Sequence, residues 1–170
     1  MFGYGSLIWR PDFAFIEQTP AVLPGFQRRF WQGSHDHRGL PEAPGRVVTL
    51  VPESSANCDG VAYLNDAQNV ANTFEALDHR EKNGYERVDV QLTLPNQQVI
   101  NGLVYIALEN NFAWLGEAPI DAIARQIADS HGPSGSNADY LLELAAALRA
   151  MQVHDDHVFA LEAAVRGQLG

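Results

Sequence analysis

The sequence predicts an α+β fold with a helical C-terminal third, and three observations carry this prediction. Strand patterns dominate residues 2–64, one helical pattern then covers residues 66–82, and two further strand patterns follow it. From residue 119 onward the periodicity is helical. Strands and helices therefore do not alternate as they do in a βαβ fold, and the short strands can close into a small barrel that leaves no exposed edge.

The first strand pattern begins at residue 2 and ends at the Gly5-Ser6 turn, and further strand patterns lie at residues 25–31, 46–51 and 60–64. Apolar and polar residues nearly alternate in the second, and the third and fourth are placed to pair with each other. Two prolines, Pro20 and Pro24, predict a connection between the first two strands. Residues 33–45 are rich in turn-forming residues, and a loop of this length in a compact domain is typical of a binding or mobile segment.

A helix is predicted for residues 66–82, with Asp66 as its N-cap and Asn83-Gly84 as its end. Strict alternation then predicts strands at residues 85–94 and 99–108. Further helices are expected at residues 119–131, at 136–150 after a capping box that begins with Ser136, and at 155–166.

Length and composition predict one domain that covers residues 1–170. The formal net charge of −10 is unfavourable for binding nucleic acid or an anionic membrane surface. We expect no membrane span, because no apolar run approaches the roughly 18 residues that a crossing requires.

A cytoplasmic location is predicted, because the start of the sequence lacks a basic segment followed by an apolar one and Cys58 is the only cysteine. Cys58 is best interpreted as inert packing, since it has no partner for an internal disulfide. The oligomeric state is not predicted.

Residues 3–7, Gly3-Tyr4-Gly5-Ser6-Leu7, form the first candidate site and are called the 3–7 segment below. Glycine lets another group approach the backbone closely, and successive N–H groups in a turn can bind one anion. The dinucleotide, P-loop and nucleophile-elbow motifs each lack a required residue here. A buried strand that ends in a Gly-Ser turn explains the same pattern, and both interpretations remain open at this point.

Glu81 is the second candidate, as a general base. It continues the apolar stripe of Val70, Phe74 and Leu77, which predicts that it faces the core. Burial and the negative end of the helix dipole both raise a carboxylate pKa, which suits a base that works near neutral pH. An ordinary last-turn charge that reaches solvent or pairs with an arginine is the alternative.

Residues 35–38 contain further polar candidates. The His35-Asp36-His37 run resembles a metal site, but no second His/Cys cluster accompanies it, so we predict no metal.

Arg38 and Arg46 suit a bidentate carboxylate contact, although pairing with acidic neighbours such as Asp36 is more common for such arginines. Among the interleaved aromatics, Tyr105 is a candidate for presenting a hydroxyl to a cavity.

Six stretches, in order along nearly the whole chain, resemble the ChaC family, the glutathione-specific γ-glutamylcyclotransferases. They are FGYGSLIW at residues 2–9, RFWQGS at 29–34, DHRG at 36–39, PGRVVTL at 44–50, REK at 80–82 with Gly84-Tyr85, and GPSG at 132–135 with Asn137 and Tyr140-Leu141. Six motifs in series make this resemblance specific. The sequence departs from the family pattern at His35, Asn83 and Trp114.

The resemblance implies a small mixed β-barrel with surrounding helices, and an enzyme that converts glutathione to 5-oxoproline and Cys-Gly. It implies a substrate cradle in the 3–7 segment and a catalytic glutamate at Glu81. We therefore assign substrate binding to Gly3, Tyr4, Gly5, Ser6, Leu7 and Tyr105, and expect neither a cofactor nor a metal. Three alternatives remain: another γ-glutamyl amine or amino acid as substrate, a non-catalytic γ-glutamyl-binding module, and metal-dependent hydrolysis through residues 35–37.

Overall fold

The protein has a mixed α/β fold in a computed structural model that describes residues 1–80 and 83–170. The elements, in chain order, are β1 Phe2–Gly3, β2 Glu17–Ser34, β3 Gly45–Leu64, α1 Val70–Arg80, β4 Tyr85–Thr93, β5 Val99–Ala107, α2 Ile120–Asp129, β6 His131–Gly132, β7 Gly135–Ser136, α3 Asn137–Ala150 and α4 Asp156–Leu169. A three-residue 3-10 helix, Ser6–Ile8, follows β1. No helix in the described part of the chain combines the length and apolar character that a membrane crossing requires.

Strands β1 to β5 form one sheet in the order β1-β3-β2-β4-β5, with antiparallel registers between β1 and β3, β2 and β4, and β4 and β5. The sheet is not closed, so the predicted barrel does not form as a closed sheet in the described residues. The shortness of β1 gives a physical reason. Its two residues offer few backbone groups for a ladder, and the chain then turns into the 3-10 helix.

Strands β2 and β3 are longer than the sequence pattern predicts. The expected connection at Pro20 and Pro24 lies inside β2, where both prolines are exposed and the intervening Ala21 and Leu23 are buried. Proline is tolerated in a strand where its missing N–H is not needed by the ladder. The two strands expected at residues 46–51 and 60–64 are parts of one strand, β3, so the predicted hairpin between them is wrong.

The structure confirms the predicted cap of α3, shows a cap of α4 that was not predicted, and does not confirm the predicted cap of α1. The Ser136 hydroxyl accepts a hydrogen bond from the Asp139 N–H at 3.0 Å, and the Asp155 carboxylate accepts one from the Val158 N–H at 3.0 Å. Asp66 instead accepts from the Gln68 N–H in a turn, so α1 begins at Val70 rather than at Asp66. The C-terminal part also contains the hairpin of β6 and β7, which the sequence did not predict.

The chain divides into two compact units. The first contains residues Met1–Gln27 and Leu50–Leu108, and thus β1, α1, β4, β5 and the adjoining parts of β2 and β3. A small core cluster of Leu7, Leu77 and Tyr105 lies within it.

The second unit contains Arg28–Thr49 and Glu109–Gly170, with α2, α3, α4 and the β6–β7 hairpin. Its core is made by the buried faces of the three helices, which include Ile123, Ile127, Leu144, Leu148 and Leu161. Each of these five side chains is fully buried, so each helix contributes a stripe to one apolar interior.

Candidate active site

The 3–7 segment lies in the first unit, where β1 ends and the 3-10 helix begins. A Cβ atom on Gly3 would lie 2.8 Å from the Leu7 Cβ, so the absence of a side chain lets the helix fold back over the strand. The backbone bonds of this turn run from the N–H of Ile8 to the Gly5 carbonyl and from the N–H of Arg10 to the Ser6 carbonyl. The N–H groups that open a helix have no acceptor within it, which is the geometry expected of an anion-binding turn.

Tyr63 holds the 3–7 segment from β3. Its hydroxyl donates a hydrogen bond to the Leu7 carbonyl at 2.5 Å, and the side chain is buried. Burial raises the pKa of the Tyr63 hydroxyl, which therefore stays protonated and able to donate. Nothing in the sequence around Tyr63 predicts this contact, because the residue lies within an ordinary strand pattern.

Tyr4 and Tyr105 are brought together, as a shared site would require. The Tyr4 hydroxyl donates to the Tyr105 backbone carbonyl at 2.7 Å, and both side chains are buried. Tyr105 also packs in one cluster with Leu7, so the two predicted substrate-binding parts, the 3–7 segment and Tyr105, lie on the same side of the first unit.

The Tyr105 hydroxyl has a partner within the protein. It donates to the Asp78 carboxylate at 2.6 Å. Asp78 lies in the last turn of α1, and the Arg87 guanidinium approaches the same carboxylate at 3.5 Å. The sequence pattern does not indicate a role for Asp78, because this residue lies beside, rather than on, the apolar stripe of α1.

Glu81, the predicted base, lies outside the described residues. The last residue of α1 is Arg80, and Glu81 follows it in the sequence. Leu77 of the predicted stripe is buried and contacts the Leu7 and Tyr105 cluster, so this part of the prediction is confirmed. The role of Glu81 stays a prediction.

Residues 35–37 belong to the second unit. His37 contacts the Ser134 hydroxyl through Nδ1 at 3.1 Å and lies 3.8 Å from the Asp36 carboxylate, and His35 stacks near Phe112 with ring centroids 6.2 Å apart. Within residues 1–80 and 83–170, no three histidine, cysteine or acidic side chains are grouped as a metal site would require.

Arg38 and Arg46 are buried and hold the second unit together. Arg38 donates to the Ser136 carbonyl at 3.0 Å and stacks over the Tyr140 ring. Arg46 donates to Gln126 at 2.7 Å and to two backbone carbonyls. These donors serve structural bonds, so the proposed substrate carboxylate contact through the arginines gains no support. Arg38 does pair with an acidic neighbour, because its guanidinium lies 3.9 Å from the carboxylate of Glu143 rather than that of Asp36.

The second unit also has an open cavity of about 420 Å³. Burial, and then the nearby Arg29 guanidinium, lower the pKa of His157 to about 4, so its imidazole is neutral at neutral pH. None of the predicted substrate-binding residues lines this cavity. Its lining includes Arg29, Trp31, Glu117, Ile120, Asp156 and His157.

The first unit therefore combines the Gly-Ser turn after β1 with an apolar cluster that includes Tyr105. The family described as ChaC-like protein matches residues 1–168. The chain therefore belongs to the ChaC-like family.

Its relatives are similar over nearly the whole chain. The glutathione-specific gamma-glutamylcyclotransferase 1 of Danio rerio is 42% identical over 171 residues, which cover 97% of this chain and 87% of the relative. The human protein of the same name is 40% identical over 97% of this chain and 77% of its own length. The glutathione-specific gamma-glutamylcyclotransferase of Saccharomyces cerevisiae is 34% identical over 90% of this chain and 86% of the relative.

The fold is similar to a solved structure as well. The crystal structure of the selenomethionine-labelled yeast cyclotransferase specific to glutathione superposes with a TM-score of 0.93 at 32% identity, covering 98% of this chain and 94% of that one. The mixed α/β fold is thus shared with that enzyme.

Proposed function

We propose that this protein is a glutathione-specific γ-glutamylcyclotransferase that releases 5-oxoproline and Cys-Gly. The observation that carries the proposal is the agreement of relatives from fish, mammals and yeast, 34–42% identical over at least 90% of this chain, all named for this activity. The arrangement of the 3–7 segment beside Tyr105 supports it.

The first step is binding of the γ-glutamyl end of glutathione. Its α-carboxylate is held by the backbone N–H groups of Gly5, Ser6 and Leu7, which open the short helix after β1. Gly3 allows the close packing of this turn, and Tyr4 holds it to β5. Because the Tyr105 hydroxyl is bonded to Asp78, Tyr105 contributes to the substrate wall through its ring rather than through its hydroxyl.

Glu81 then removes a proton from the substrate α-ammonium group, whose ordinary pKa is about 8. The freed amine attacks its own γ-carbonyl carbon, a new C–N bond closes the five-membered lactam, and the amide bond to cysteine breaks. Protonated Glu81 gives its proton to the departing amide nitrogen, and the second proton of the attacking nitrogen passes through Glu81 to the same group, so that Cys-Gly leaves as the ammonium and the lactam keeps one N–H. Because the attack is intramolecular, holding the substrate folded supplies much of the rate through effective molarity. These bond changes balance without a cofactor, a metal or a covalent enzyme intermediate.

The test is incubation of the purified protein with glutathione while 5-oxoproline and Cys-Gly are measured together. We expect equal amounts of both products, near-complete loss in Glu81→Gln with the fold retained, and no loss in Glu86→Gln, whose side chain is exposed on β4. Full activity of Glu81→Gln would show that Glu81 is not the general base. Activity that survives a chelator excludes metal-dependent hydrolysis through residues 35–37.

A second candidate is the same reaction on other γ-glutamyl compounds. Two Arabidopsis thaliana relatives, 40% and 34% identical, are named gamma-glutamylcyclotransferase 2-3 and 2-1 without mention of glutathione. Comparing kcat/KM for glutathione and γ-glutamyl-alanine separates the two, since a glutathione-specific enzyme turns over the second substrate slowly. A protein that only binds γ-glutamyl compounds would consume neither.

We further propose that residues 1–170 act as one catalytic domain of the α+β class, in the cytoplasm. The family match across residues 1–168 supports one domain, and a sequence with Cys58 as its single cysteine is consistent with the cytoplasm. Acidic composition supports small-molecule substrates over nucleic acid.

A further inference from the structure

We propose that Asp78 is a positioning residue for the reaction, because it ties the last turn of α1 to a tyrosine that also holds the 3–7 segment. The inference rests on the proposed cyclotransfer and deepens it. Nothing in the substrate chemistry requires this carboxylate, so its role is to fix the geometry of the groups that act.

The contacts of Asp78 come from one cross-strand pair. Arg87 of β4 and Tyr105 of β5 lie directly opposite each other in the register, so their side chains are on the same face of the sheet. Both reach the Asp78 carboxylate, Tyr105 at 2.6 Å and Arg87 at 3.5 Å. The α1 helix is therefore held at its C-terminal end by two side chains whose spacing the sheet fixes.

A stabilising role alone does not account for this arrangement. Asp78 lies in the last turn of a helix, where the dipole disfavours an acidic side chain. Its side chain is 46% exposed and that of Arg87 is 47% exposed, and ion pairs between exposed groups contribute little stability. The short phenol–carboxylate bond, by contrast, is charge-assisted and strongly directional, so it sets orientation.

Tyr105 connects this contact to the substrate segment. Its hydroxyl bonds to Asp78, its backbone carbonyl accepts the Tyr4 hydroxyl, and its ring packs with Leu7 and Leu77. Asp78 thus sets how the end of α1 lies against the segment that binds the substrate. Proton transfer needs hydrogen-bond reach, and a displacement of about 1 Å can cost on the order of a hundredfold in rate.

The experiment measures kcat and KM for glutathione in Asp78→Asn, Tyr105→Phe and the double variant. Asparagine keeps the shape of Asp78 but removes its charge, and phenylalanine keeps the ring of Tyr105. We expect kcat to fall about tenfold or more in each single variant, while KM changes less than about twofold. The double variant should be no slower than the slower single variant, because both changes act on the same hydrogen bond: phenylalanine lacks the donor, and the neutral amide oxygen of asparagine is a weaker acceptor than the carboxylate.

Asp89→Asn is the matched control, since Asp89 is an exposed acid on β4 two residues from Arg87. Its kcat should equal that of the wild type. Thermal unfolding of every variant reports folding, and a purely structural Asp78 would lower the melting temperature without changing kcat of the folded enzyme.

Three outcomes overturn the inference. They are a kcat of folded Asp78→Asn within about twofold of the wild type, a rise in KM at constant kcat, and losses that multiply in the double variant. If Asp78→Asn does not fold, the kcat of folded Tyr105→Phe is compared with that of the wild type, and a value within about twofold overturns the inference. Absence of 5-oxoproline from the wild type overturns the proposed function together with this inference, whereas an active wild type beside an equally active Asp78→Asn overturns the inference alone.

Discussion

The Tyr4 hydroxyl donates a hydrogen bond to the backbone carbonyl of Tyr105 across 2.7 Å, between two buried residues 101 positions apart in the sequence. The bond joins the residue after β1 to β5, the two end strands of the sheet. A side-chain donor therefore makes a connection that the two-residue strand β1 is too short to make with its backbone.

Tyr4→Phe removes this donor and leaves the Tyr105 carbonyl without it in a buried position. We expect a loss of about 1 kcal/mol in the free energy of unfolding, because the variant loses one buried hydrogen bond. Chemical denaturation measures the loss. The same variant should raise KM for glutathione, since Tyr4 holds the substrate segment.

A stability equal to that of the wild type, with unchanged KM, would contradict the importance of the Tyr4 bond. A fall in stability with unchanged KM would show instead that the bond supports the fold and not the segment.

Gly3→Ala tests the close approach of the 3-10 helix to β1. The new Cβ would lie 2.8 Å from the Leu7 Cβ, so the turn must shift, at a cost of about 1–3 kcal/mol in unfolding free energy. A displaced turn should also lower kcat/KM for glutathione. Denaturation curves and kinetics measure the two effects.

Gly167→Ala is the matched control for this change. Gly167 lies in α4, and a Cβ there meets nothing within 4 Å. Alanine has the higher helix propensity, so stability should rise by up to about 1 kcal/mol. Equal changes in the free energy of unfolding for Gly3→Ala and Gly167→Ala would show that the close approach of residue 3 to Leu7 does not affect stability.

Local signals predicted the helices better than the strands. Ser136 and Asp155 cap α3 and α4 through bonds to N–H groups three residues away, which a sequence pattern can indicate. The length of β3 was not predictable in this way, because residues 52–57 lack apolar alternation and extend the strand while mostly exposed. Tertiary pairing, rather than local propensity, keeps them in a strand.

The sequence predicted the turn in the 3–7 segment but not the side-chain contacts around it. Glycine and serine at residues 3–6 indicated a turn that the structure contains. The contacts of Asp78 were not predictable, because they depend on how α1 packs against the face of β4 and β5 that carries Arg87 and Tyr105, and no local pattern sets that packing.

Glu162 allows a test of how ion pairs contribute to the stability of the second unit. Its side chain is buried between Arg149, which donates to both of its carboxylate oxygens, and Arg166, at 3.0 Å. The hydrogen bond from Arg149 is the main cause that lowers the pKa of Glu162 below its usual value. A lowered pKa stabilises the fold above the ordinary carboxyl pKa, about 4.3, and this contribution is lost as pH falls through the folded value.

Glu162→Gln should therefore lose about 1–3 kcal/mol of unfolding free energy at neutral pH. The acid-induced loss between pH 5 and the lowered pKa should be smaller than in the wild type, because the titrating group is absent. Denaturation at a series of pH values measures both, with the exposed Glu75 changed to glutamine as control. An unchanged pH dependence would contradict the role of Glu162.

His157 behaves in the opposite way to Glu162, because the folded protein disfavours the charged form of its side chain. Its Nε2 accepts a hydrogen bond from the Phe30 N–H at 3.0 Å, so the neutral imidazole carries its proton on Nδ1. Desolvation is the largest cause that lowers its pKa to about 4, Arg29 and Arg46 add to it, and Asp155 opposes it. Protonating Nε2 would break the bond to Phe30 and place a cation near the arginines.

The stability contribution follows from the sign of this shift. Between the ordinary histidine pKa of about 6.5 and the folded value, the unfolded chain binds a proton that the folded chain does not. Stability is therefore complete above pH 6.5 and falls as pH is lowered toward 4, by on the order of 3 kcal/mol from this one group. NMR titration of the His157 ring, assigned by its loss in His157→Gln, measures the pKa directly. A titration midpoint near pH 6.5 would contradict the prediction. If the midpoint is near pH 4 but the stability of the wild type stays constant from pH 7 to 5, the unfolded state does not gain the proton.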